Sequence, residues 1–244
     1  MTNNTIISIK NLHKSFGDNK VLQGINLTVA KGEDLVILGR SGSGKSITIK
    51  CLVGLVEADE GTIELFGTAI TKLNYRDLNA IRLRIGFMFQ SGALYDSMSV
   101  RQNLAFTLKH HTPHLCEEEV DKQIIEALDN VGLTEAIDKM PSELSGGMVK
   151  RIGLARTLII KPEIILYDEP TAGLDTITSK EISELILSVQ KKYKTTSIII
   201  THDIGCAKMT GNRIMILKDG VINAEGTYAE LETSTDEWVR SFFT

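Results

Sequence analysis

A chain of 244 residues, 42% hydrophobic and 24% charged, is long enough to bury a core of its own and to form one lobed globular unit. Its formal charge of −4 argues against a protein whose main work is neutralising nucleic-acid phosphates, so no nucleic-acid partner is expected. Cys51, Cys116 and Cys206 are odd in number and widely spaced, which excludes a disulfide framework and a CxxC-type zinc site and fits a reducing compartment.

Residues 1–10 lack a basic stretch followed by an apolar one, so no signal peptide is expected. Apolar runs such as 35–38 and 198–200 fall far short of the ~20 residues a membrane-spanning helix needs. Apolar and polar residues alternate over 6–12 and 25–29, the pattern of two strands in a half-buried antiparallel sheet. The apolar run 34–38 leads into a glycine-rich loop, and Ile47, Ile49, Leu52 and Val53 suit a helix packed on a sheet. Residues 61–66 and 85–89 read as further strands. Val120, Ile124, Ile125, Leu128 and Val131 recur at helical spacing behind three glutamates, which favour a helix N-terminus. A strand at 164–167, a helix marked by Ile182, Leu185, Ile186 and Val189, and a strand at 197–200 repeat the β, α, β order. Segments 214–217 and 221–224 flank Asp219-Gly220, a two-residue hairpin signal. The expected fold is α/β, a parallel-sheet core with an antiparallel β layer over roughly 1–99 and 142–244, and a helical subdomain over roughly 100–141.

Gly39, Arg40, Ser41, Gly42, Ser43, Gly44, Lys45 and Ser46 match G-x-x-x-x-G-K-[ST] between a predicted strand and a predicted helix. Glycines let the backbone curl so that successive N–H groups face inward, and the helix N-terminus adds partial positive charge. Lys45 is placed to reach β- and γ-phosphates, Ser46 to offer its hydroxyl to Mg²⁺, and Ile47 joins the candidate nucleotide contacts. Downstream, an apolar strand ends in Asp168 and Glu169. Successive strand residues point opposite ways, so the two acids serve different tasks. Asp168 suits Mg²⁺, and Glu169 suits a base that deprotonates the attacking water. The ligands expected are therefore a nucleoside triphosphate and Mg²⁺.

Leu144-Ser145-Gly146-Gly147-Met148, lying before a basic helical stretch (Lys150, Arg151, Arg156) and upstream of the Asp-Glu strand, resembles the signature motif of the ABC ATPases. The resemblance spans nearly the whole chain and implies a P-loop NTPase fold of ABC type. It further implies Phe16 as the aromatic that stacks on adenine, Gln90 as the Q-loop glutamine near the metal and the catalytic site, residues 171–175 as the D-loop, and His202 as the switch histidine. It also implies a head-to-tail homodimer in which Ser145, Gly146 and Gly147 of one copy close on the γ-phosphate held by the other. Local sequence alone also admits a helix-capping Ser145 with flexible glycines. Two positions depart from the family pattern: Met148 stands where glutamine is usual and cannot make its hydrogen bonds, and Thr176 follows Asp175 where proline is frequent.

Residues 89–100, the methionine of the signature and the run 167–175 resemble the Mla/Mce-type lipid-transport ATPases. That resemblance implies a cytoplasmic subunit peripheral to the inner membrane, docked on a separate integral-membrane permease, with an accessory cytosolic subunit and an Mce-type lipid-binding protein as further partners. Two rivals stand beside it, an ATPase of another importer or exporter and a soluble ABC ATPase acting on a cytosolic assembly. A binding-only protein would be expected to lose Lys45, Glu169 or His202, and all three are present.

Other features read as structural. His110, His111 and His114 are expected in a solvated loop, Cys51 in the core, Lys191, Lys192 and Lys194 at a helix C-terminus, and Asp138 and Glu143 on the surface. Trp238, Val239, Phe242 and Phe243 share one side of a short predicted helix. They are expected to pack on a second copy or an accessory subunit, with docking on the chain's own core as the alternative.

Overall fold

The computed structural model describes residues 4–243; residues 1–3, part of the segment read for a signal, and Thr244 lie outside the described residues. Two twelve-residue strands, β1 (Thr5–Phe16) and β2 (Asn19–Ala30), form an antiparallel hairpin. Both outlast the predicted spans because pairing continues through polar residues, His13 with Gln23 and Phe16 with Asn19, where alternation gives no signal. Next come β3 (Asp34–Gly39), α1 (Lys45–Leu52), β4 (Glu60–Leu65) and β5 (Thr68–Ala69). Helix α2 (Tyr75–Arg82) escaped the sequence reading because it buries only Ile81; the Asn74 side chain caps it by accepting from the Asp77 N–H at 3.0 Å.

After β6 (Ile85–Met88), the middle of the chain carries α3 (Val100–His111), α4 (Glu117–Asp129) and two short 3₁₀ turns, then α5 (Gly146–Leu158). His110 and His111 belong to the last turn of α3 and not to a loop; Ser99 starts that helix with a reciprocal capping box to Gln102. The chain continues with β7 (Ile164–Asp168), α6 (Thr176–Tyr193), β8 (Thr196–Thr201), α7 (Ile204–Thr210), β9 (Arg213–Lys218) and β10 (Val221–Gly226). It closes with α8 (Tyr228–Glu232) and α9 (Glu237–Arg240). At the hairpin between β9 and β10, Asp219 and Gly220 have φ of 47° and 78°, the left-handed pair that a two-residue turn demands. Thr176 takes the first helical position of α6 behind the Asp175 cap, a position that proline also fits because its missing N–H would have no partner within the helix.

β2-β1-β4-β5 form an antiparallel sheet, and β10-β9-β3-β8-β7-β6 a second sheet that is parallel except for the β10–β9 pair. Alternation along the buried strands divides their side chains between two cores. Val36, Leu38, Ile165, Tyr167 and Ile199 face the helical side, while Leu35, Ile37, Ile164, Leu166, Ile198 and Ile200 face α1 and the antiparallel sheet. A sheet buried on both faces has only its edges and strand ends left for chemistry.

The tail departs from the expected packing. Helix α9 ends at Arg240, so the chain turns inward: Val239 is buried, and Trp238, Phe242 and Phe243 pack against the helical-side core of their own chain. Phe243 meets Tyr228 edge-on at 5.1 Å, Trp238 meets Phe242 at 4.9 Å, and the Lys218 ammonium sits 4.4 Å from the Trp238 ring.

Candidate active site

Strands β3, β8 and β7 are neighbours, and their C-terminal ends bring three sequence-distant segments to one cleft. The cleft encloses about 370 Å³ between the phosphate loop (Ser41, Gly42, Gly44), the first turn of α1 (Lys45, Ser46, Ile47), Gln90, Glu169 and His202. Val21 of β2 forms a wall that the sequence reading had not singled out. Gly39 closes β3 where any Cβ would meet the Leu217 carbonyl at 2.7 Å. Gly44 is the N-cap of α1 at φ 104°, a conformation that side chains rarely adopt, and it supplies no capping side chain.

Lys45 is buried, and its ammonium donates to the Gly39 carbonyl at 2.7 Å and the Arg40 carbonyl at 3.3 Å. The same ammonium lies 3.5 Å from Glu169 Oε1. The Ser46 hydroxyl donates to Asp168 Oδ1 at 2.8 Å, joining the loop to the end of β7. Glu169 has a φ of 50°, unusual for a residue with a side chain, and its N–H donates to the Ile200 carbonyl at 2.8 Å. Its Oε2 accepts from the His202 main-chain N–H at 3.2 Å and lies 2.8 Å from His202 Nδ1. With the proton on Nδ1, the imidazole donates to the carboxylate and keeps Nε2 as a free acceptor. Thr171 donates to Asp203 Oδ2 at 2.9 Å, tying the loop after Glu169 to the N-cap of α7.

Three observations fit a chain of phosphates here. The first N–H groups of α1 lack a side-chain cap, the buried Ser43 hydroxyl lacks any hydrogen-bond partner, and Lys45 is held by carbonyls poised to share it with an anion. Among the described residues no group of three or more His, Cys, Asp or Glu could hold a metal by itself. Ser46 and Asp168 offer hard oxygen donors at one point of the cleft, so a cation held there would complete its shell with phosphate oxygens and water, the habit of Mg²⁺.

Four candidate residues lie away from these walls. Phe16 is half exposed at the end of β1, with the Lys14 ammonium 5.3 Å from its ring. Ser145 caps α5 by accepting from the Met148 N–H at 3.3 Å and is otherwise exposed, while Gly146 and Gly147 stand against Leu174 and Thr178. Sequence reasoning missed Lys150, which it counted with a basic stretch; the usable signal was a lysine inside a helix flanked by buried Ile152, Leu154 and Ala155.

A family model described as ABC transporter matches residues 22–172, more than half of the chain. The chain belongs to that family and is an ATPase of the ATP-binding cassette type. It is 38% identical to the intermembrane phospholipid transport system ATP-binding protein MlaF of Haemophilus influenzae, over 98% of this chain and 90% of the relative. It is 39% identical to a probable ribonucleotide transport ATP-binding protein of Mycobacterium leprae, over 97% of this chain and 68% of the relative. A solved dimeric post-hydrolysis state of an ATP-binding cassette bound to ADP and Pi superposes with a TM-score of 0.84 at 32% identity, covering 91% of this chain and 98% of that one.

Proposed function

We propose that this chain is the ATP-hydrolysing subunit of a bacterial transporter that moves phospholipid between membranes through a separate permease. The observation that carries the ATPase chemistry is the convergence of Lys45, Glu169, His202 and the Ser46–Asp168 pair in one cleft. Lys45 shifts from its carbonyls to the β- and γ-phosphates, and the loop N–H groups from Ser41 to Ser46 hold the phosphate oxygens. Ser46, Asp168 and Gln90 would hold Mg²⁺, which when bound would neutralise charge on the transferring phosphoryl group. Glu169 orients and deprotonates the attacking water. His202, hydrogen-bonded to that carboxylate, fixes its direction and senses the γ-phosphate. Phe16 stacks on adenine from the rim.

The exposed helix start at Ser145 supports a site shared between two copies, since its hydroxyl accepts from the Met148 N–H of its own helix and Ser145, Gly146 and Gly147 lie outside the lining of their own chain's phosphate-loop cleft. The dimeric cassette relative supports the same reading. Phospholipid as cargo is supported by the MlaF relative, which matches along nearly its whole length, and by Met148 and residues 89–100. The second reading, a transporter of another solute, is supported by the mycobacterial relative's name. Placement on the cytoplasmic face of the inner membrane, with a permease, an accessory subunit and an Mce-type lipid-binding protein, belongs to the lipid reading. Among the described residues no helix is long and apolar enough to cross a membrane.

Glu169→Gln tests the chemistry: it keeps the shape and removes the base, so ATP binding stays near the parent while turnover falls by roughly 100-fold or more. Hydrolysis within about threefold of the parent would falsify the assignment of the base. For the cargo, co-purification from native membranes with a permease and an Mce-type protein supports lipid, and recovery with a solute-binding partner overturns it.

A further inference from the structure

Lys150 lies in the second turn of α5, and its side chain is buried to 5% exposure. Its ammonium donates to two main-chain carbonyls from separate parts of the site, Gln90 O at 2.5 Å and Glu169 O at 3.0 Å. Burial draws the Lys150 pKa below the ordinary lysine value, while the nearby Glu169 and Asp168 carboxylates favour its charge. A buried cation is costly to a fold unless its donors are met, and here two of the three are met by the backbone on either side of the catalytic carboxylate's cleft.

The Glu169 carbonyl that Lys150 holds belongs to a residue in the left-handed region, a conformation that persists only when surroundings enforce it. That carbonyl also accepts from the Ala172 N–H at 3.2 Å, and the Glu169 N–H is held by Ile200. Rotation about this backbone would swing the carboxylate away from Lys45 and His202. Helix α5 is fastened to the other side as well. Arg156 donates to the Ala93 carbonyl, and a Cβ on Gly153 would lie 3.1 Å from Gly92 Cα, so the segment after Gln90 runs directly against the helix.

We propose that Lys150 is a positioning residue that locks the backbones of Glu169 and Gln90 to α5, the helix whose first residues carry the signature glycines. Seating of α5 against a second copy is thereby read at the base: the Glu169 carboxylate takes its working direction when the helix is in place. The inference rests on the reading of Glu169 as the base.

The test is steady-state ATP hydrolysis by the full chain carrying Lys150→Met, Lys150→Arg, Glu169→Gln, and Lys150→Met with Glu169→Gln. Lys150→Met is expected to lower kcat by about tenfold or more with KM for ATP within about twofold, because the phosphates are held by the loop. Lys150→Arg, which keeps charge and donors, recovers kcat to within about threefold of the parent. Added to Glu169→Gln, Lys150→Met lowers the residual rate by less than about twofold, since residues acting as a unit are not additive. If Lys150→Met does not fold, Lys150→Gln is measured with the same expectations. A raised KM at unchanged kcat, failure of Lys150→Arg to recover, or equal losses in both backgrounds overturns the proposal. Near-parental turnover of Glu169→Gln alone overturns the reading of the base instead, so the two failures are told apart.

Discussion

The phosphate loop and the start of α5 both present glycines and a hydroxyl at a helix N-terminus, yet they are held in different ways. At the first, Lys45, Ser46, Asp168, Glu169 and His202 are joined by direct contacts within one chain. At the second, the exposed Ser145 hydroxyl meets only the N–H of Met148 in its own helix. One region is assembled by folding; the other, on the shared-site reading proposed above, awaits an anion held by a second copy. Changes to the phosphate-holding residues of the first, Lys45 and Ser46, should alter ATP binding and chemistry together, whereas changes at the second should alter chemistry alone.

Ser145→Arg tests the second half of that division and carries the largest expected effect outside the phosphate-loop cleft. A bulky cation at the helix start should cut hydrolysis by roughly 50-fold or more, the scale of losing preorganised donors to a developing charge. ATP affinity of the isolated chain, measured by calorimetry, should change by less than about twofold because uniform binding is untouched. A comparable loss of affinity in the isolated chain would place Ser145 in its own chain's site.

The tail sharpens the boundary between what one chain completes and what it leaves for a partner. Deleting residues from Thr235 onward removes the buried Val239 and exposes aromatic surface around Tyr228. Loss of about 3 kcal/mol of apolar burial should lower the melting temperature of the isolated chain by about 6–12 °C. An unchanged melting temperature would return these aromatics to an intermolecular role. Phe16→Ala has the smallest effect: because the ring stands outside the cleft walls, it should weaken ATP binding by only about 1–2 kcal/mol, the range of base stacking. Unchanged affinity would show that the rim takes no part.

These differences also explain what was legible in the residues alone. The strand, loop and helix around Lys45 and the strand ending in Asp168 and Glu169 announce themselves because burial on both sheet faces forces continuous apolar runs. Their meeting across β8 is a matter of strand order, which no local pattern carries. Helix α2 was invisible because it rests on a cap and one buried side chain. The tail misled because the spacing of its four apolar residues assumes a helix through Phe243, whereas α9 stops at Arg240 and the rings turn onto α8 and the core. Lys150 shows the limit most sharply, since its two acceptors are main-chain carbonyls 60 and 19 residues away.

Complementation between two damaged chains tests most directly that each chain holds half of each site. Lys45→Ala and Ser145→Arg are each expected to hydrolyse ATP poorly. Mixed in equal amounts, they form dimers in which one site pairs an intact phosphate loop with an intact signature. Random pairing in a two-fold dimer then predicts recovery of up to about a quarter of parental turnover. A mixture no faster than the sum of its separate components would contradict the shared-site account.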